Sequence, residues 1–105
     1  MKHKILLAIL VLVPFGSASA QDVVAGHQLA KHWCSSCHAV EAGQTTPHKG
    51  GPPAFAAIAN MSSTTETSLA AFLSTSHEPM PNIVLSRKQI DDLSAYILSL
   101  HNPHI

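Results

Sequence analysis

Residues 34 to 38 read Cys34-Ser35-Ser36-Cys37-His38, and the chain holds no other cysteine. Thiols with two residues between them match the two vinyl groups of a haem, and an imidazole directly after the second thiol reaches the iron from the same turn. Three other chemistries use a Cys-x-x-Cys pair. A thioredoxin-like redox pair sits in a βαβ context, and no strand alternation is visible here. A structural zinc site takes four ligands, so this pair would have to recruit histidines from elsewhere in the chain. A disulfide closing so small a loop stabilises little. The motif therefore points to covalent attachment of one haem c through Cys34 and Cys37, with His38 on the iron.

A low-spin haem that carries electrons needs a second ligand on the opposite face, and methionine sulfur is the usual choice where a high potential is wanted. Met80 lies in His77-Glu78-Pro79-Met80-Pro81-Asn82. Prolines on both sides fix φ and prevent helix, so this stretch reads as a stiff strap able to hold a thioether against iron. Met61 has no such frame and reads as core or haem-edge packing. His77 is the rival ligand, since its imidazole would compete from the same loop and lower the potential. The metal ligands expected are His38 and Met80.

The surrounding elements are partly disguised by an export tag. Lys2, His3 and Lys4 precede an apolar run of 11 residues from Ile5 to Phe15, followed by Gly16-Ser17-Ala18-Ser19-Ala20. That is the pattern of a secretory signal peptide cleaved after Ala20; the run is too short to span a bilayer, and no cysteine follows for a lipid anchor. The expected organisation is residues 1–20 as leader and 21–105 as one domain. The leader carries 13 of the 48 apolar residues, and 11 of the 35 that remain are alanine. So thin a core in 85 residues calls for a cofactor. Cleavage leaves four Lys/Arg against six Asp/Glu, a formal charge of −2 with histidine neutral. With no basic excess, nucleic-acid binding and attraction to anionic membranes are not expected.

Four stretches can position the motif. Val24, Leu29, Ala30, Trp33 and Cys37 suit a helix from Val23 to about Val40 that ends in the motif. Gly43 to Pro53 is loop, with Gly50-Gly51-Pro52-Pro53 as its strongest breaker. Leu69, Phe72 and Leu73 have helical spacing between Thr65 and Thr75, behind a Ser/Thr cap. Ser86-Arg87-Lys88-Gln89 is a capping box, Ile90, Leu93, Ile97 and Leu100 then make one apolar stripe, and Asn102-Pro103 stops the helix.

Taken together these residues resemble a small bacterial class I c-type cytochrome over essentially the whole of residues 21–105. The resemblance rests on Gly26 in the first helix, Cys34, Cys37 and His38, Pro53 in the loop, Met80-Pro81, and Leu93 and Tyr96 in the last helix. It implies an all-α cytochrome c fold, three to four helices wrapped around one covalent haem, with first and last helices crossing near Gly26 and Ala30 against Leu93 and Tyr96. Where the family often has a larger residue, this chain has Ala30, so Leu29 or Trp33 is expected to fill the crossing. The resemblance also puts the Pro53 carbonyl on His38, with Pro52 as the alternative one residue away, and Phe55 on the haem face. Histidines 27, 32, 48, 101 and 104 are expected at the solvent surface.

The function this implies is periplasmic electron transfer, with the iron cycling between ferrous and ferric states. The protein is expected to be an electron carrier rather than an enzyme. Its partners would be periplasmic donor and acceptor proteins, met through small, weak interfaces with modest salt dependence, and it would be a monomer or part of a redox complex. Two alternatives stand beside it: a cytochrome subunit of a periplasmic dehydrogenase complex, and a gas or peroxide binder if the Met80 loop opens.

Overall fold

The computed structural model describes residues 2–5, 8–14, 21–75 and 79–104. Among the described residues there are four helices and no strand. The helices are α1 (Val23–Leu29), α2 (Phe55–Asn60), α3 (Glu66–Leu73) and α4 (Arg87–Ser99). Described residues of the expected leader, such as Ile9, Leu10 and Leu12, are exposed and lie outside the core. Residues 15–20, where cleavage is expected, lie outside the described residues.

α1 starts where the Asp22 carboxylate accepts the Ala25 N–H at 3.0 Å, an N-cap that satisfies one of the free donors of the first turn. It runs on into a wider, π-type turn, Ala30–Cys34. The helix stops at Cys34 rather than near Val40, followed by one last turn in which the Cys37 and His38 amides both donate to the Cys34 carbonyl, at 3.2 and 2.9 Å. Beyond that turn Ala39 and Val40 enter the core.

α4 is the longest helix, and its cap is the reciprocal one its sequence encodes: Gln89 N–H donates to Ser86 Oγ at 3.2 Å and Ser86 N–H to Gln89 Oε1 at 2.8 Å. Ile90, Leu93 and Ile97 are buried along one side. α3 is capped in the same way by Thr65 and Ser68. The short α2 is tied to the chain end through Asn102 N–H on Asn60 Oδ1, 2.9 Å.

α1 packs chiefly on α4. At their crossing Gly26 is required by space: a Cβ there would lie 2.0 Å from the Asp92 carbonyl oxygen and 2.8 Å from Tyr96 Cβ. Ala30 is fully buried beside it. Neither Leu29 nor Trp33 fills the crossing; Trp33 is 49% exposed, and Leu29 lies at a neighbouring cleft. His27 takes that place instead of pointing to solvent. Its ring stacks on Tyr96 with centroids 4.7 Å apart, and its Nε2 donates to the Glu41 carboxylate at 2.9 Å. Met61 is 54% exposed, so it is not a core residue; it follows α2 at a turn that faces outward.

Candidate metal centre

His38 closes the turn that follows Cys34 and is half-buried. Its Nδ1 is 2.7 Å from the Pro53 carbonyl oxygen. A carbonyl can only accept, so Nδ1 carries the hydrogen, and in the neutral ring the lone pair is on Nε2. That is the state in which an imidazole binds a metal, with its other nitrogen held by an oxygen. The carbonyl within reach is that of Pro53, not Pro52. Proline lacks an N–H, so two successive prolines leave this stretch of backbone supplying acceptors only.

Neighbouring contacts hold this arrangement. Phe55 N–H donates to the Ala39 carbonyl at 2.9 Å, which ties the start of α2 to the residue after His38. The Phe55 ring lies 5.0 Å from the imidazole, tilted by 55°. One residue further, the Val40 carbonyl accepts the buried Tyr96 hydroxyl at 2.6 Å. α2 and α4 thus both grip the strand of backbone that leaves the motif.

Cys34 and Cys37 are free thiols. Cys37 is exposed, whereas burial and the neighbouring Cys37 push the Cys34 thiol up to about 11. Cys34 faces a cleft whose walls come from α1 (Leu29), the π-type turn after it (Trp33), the end of α3 (Phe72, Leu73), the Met80 strap and Leu93 of α4. Cys34 and Met80 therefore share one mainly apolar cleft, although 46 positions separate them in the chain. His38, Pro53 and Phe55 form a second group, joined to Cys34 through the Cys34 carbonyl. His77 lies outside the described residues.

These features fit a covalently held haem. Two unoxidised thiols flank the turn, a lone-pair nitrogen sits on an oriented imidazole, and a thioether lines an apolar cleft. A zinc site fits poorly, because no group of three or more His, Cys, Asp or Glu converges among the described residues. A family model described as "Cytochrome C oxidase, cbb3-type, subunit III" matches residues 21–97.

The chain belongs to the cytochrome c family.

The chain is also 41% identical to cytochrome c-552 of Bradyrhizobium diazoefficiens over 96 residues, covering 91% of each chain. No solved structure gives a significant match. Membership brings one haem c, attached through Cys34 and Cys37, and makes the protein a small monohaem electron-transfer cytochrome. Among the described residues no helix of this cytochrome is long and apolar enough to cross a membrane.

The Cys-x-x-Cys-His motif was visible in sequence because its chemistry is local. Sequence reasoning missed His27 and Glu41 as structural partners of Tyr96. Their one local signal is that His27 directly follows the close-packed Gly26, which places it at the edge of the crossing.

Proposed function

We propose that this cytochrome is exported to the periplasm, loses residues 1–20, and works there as a one-electron carrier whose iron is held between His38 and Met80. The observation that carries the reading is the 2.7 Å contact of His38 Nδ1 with the Pro53 carbonyl. It leaves a metal-binding lone pair on a ring that cannot easily turn. Bound haem c supplies an iron that accepts and releases single electrons without a substrate reaching it.

The chain's own residues do the remainder. Cys34 and Cys37 would tether the haem at the end of the π-type turn that extends α1. The Pro53 carbonyl and the Phe55 ring hold the His38 imidazole, while Pro79 and Pro81 stiffen the strap that offers the Met80 sulfur. Leu29, Leu73 and Leu93 give the cleft an apolar wall. With both ligands held on backbone that need not move, little rearrangement accompanies each electron. The family match beginning at residue 21 supports the boundary between leader and domain.

Replacing Met80 by alanine in the haem-loaded protein tests the ligand set. The expected result is loss of the sulfur-to-ferric-iron charge-transfer band and a large fall in reduction potential. An unchanged spectrum rejects Met80.

A second reading is favoured by the family's own description as an oxidase subunit. In it the same haem chemistry is held at a permanent interface of a larger redox complex. Isolation from native periplasm and membranes at moderate salt separates the two: a free carrier elutes alone, and a subunit elutes with a stoichiometric partner.

A further inference from the structure

We infer that Gln21 is a modification site, at which the mature amino terminus closes on its own side chain to give pyroglutamate and release ammonia. The inference rests on the proposed removal of residues 1–20, which makes the Gln21 amine the first group of the chain. Three observations place it. Gln21 directly follows the small-residue pattern Ala18-Ser19-Ala20. The peptide that joins it to Asp22 is anchored: Asp22 N–H donates to Asp92 Oδ1 at 2.9 Å, and the buried Asp92 is itself held by the Lys88 ammonium at 2.9 Å. The Gln21 carboxamide nitrogen donates to Oε1 of Glu66, the first residue of α3. The new terminus is therefore pinned to α3 and α4 at the edge of the folded domain.

The chemistry balances without an added reagent. The α-amine attacks Cδ, a bond forms between the α-nitrogen and Cδ, and the five-membered lactam closes. The Cδ–Nε2 bond breaks, and Nε2 departs with its two hydrogens and one proton from the attacking nitrogen. The Glu66 carboxylate already touches the nitrogen that leaves, so it relays that proton. No electron changes hands. The product has lost the terminal positive charge and the primary amine, as any blocked terminus has. The Asp22 N–H is not consumed, so the anchor on Asp92 survives the reaction. A chain blocked in this way offers no free amine to an aminopeptidase.

Intact-mass measurement and stepwise amino-terminal sequencing of the haem-loaded protein, isolated from the periplasm, test this. The expected mass is that of residues 21–105 with haem less one ammonia, with sequencing blocked until a pyroglutamyl peptidase removes the first residue. A chain starting at Gln21 with its amide and amine intact overturns the modification but leaves the export reading standing. A chain starting elsewhere overturns both, and the mass distinguishes the two failures. Gln21→Glu, whose carboxylate has no ammonia to lose, is expected to keep a free amine in material of the same age. Glu66→Gln is expected to slow closure severalfold in freshly matured protein; an unchanged rate overturns the relay.

Discussion

At the scale of single residues, the same burial that makes Cys34 useful makes it slow. Inside the cleft the thiol is pushed up to about 11, by burial first and by Cys37 second. The thiolate is the nucleophile, so a folded, haem-free chain presents a nearly unreactive thiol at Cys34 near neutral pH. In such a protein alkylation of the exposed Cys37 is expected to run ahead of Cys34, and the Cys34 rate to climb as pH rises toward 11. Peptide mass spectrometry after timed alkylation checks this; equal rates at neutral pH would contradict the burial. The positions of both cysteines and His38 were legible in sequence because attachment chemistry fixes their spacing within five residues. The partners of His27 were not. Its Glu41 lies 14 positions away and Tyr96 lies 69 away, and only the fold brings the three together.

At the scale of elements, the crossing of α1 and α4 governs the fold. Gly26→Ala puts a methyl group against the Asp92 backbone, which cannot swing aside as a flexible side chain would. A loss of about 3 kcal/mol is expected, read from denaturant titration of the haem-loaded protein. Asp92 carries the second half of the same joint. The Asp22 N–H, followed by the Lys88 ammonium, holds its carboxyl below the ordinary value of 3.8. A folded-state value below the unfolded one means that stabilisation is full above the ordinary carboxylate range and is lost as pH falls through the folded value. Asp92→Asn is therefore expected to melt below the parent protein at neutral pH. The gap should shrink once the pH drops below about 4; a gap constant across this range would count against the charged joint. The ends of α3 and α4 were legible because caps are local signals. The end of α1 was not, because the residues after Cys34 keep an apolar pattern while their amides fold back onto one carbonyl.

At the scale of the whole molecule, alanine is the commonest buried side chain: Ala30, Ala39, Ala54, Ala56 and Ala59 are five of the twelve buried apolar residues among those described. Small side chains contribute little transfer energy, so the haem has to supply much of the apolar interior. A chain with both Cys34 and Cys37 replaced by alanine is expected to stay folded in the cold but to melt well below the haem-loaded protein, read from far-ultraviolet dichroism. An unchanged melt would show that the haem adds nothing to the interior. The all-α class and the crossing came from the family resemblance that Gly26, Leu93 and Tyr96 help to carry, yet the thinness of the core emerged only once the proposed leader was set aside. The Tyr96 hydroxyl on the Val40 carbonyl joins the last helix to the backbone just after the motif, 56 positions away. A chain delivered amino terminus first presents Cys34 and Cys37 well before α4 arrives. Until that last helix docks, its side of the motif stays open, and the order of emergence itself leaves an interval in which both thiols are within reach of a haem.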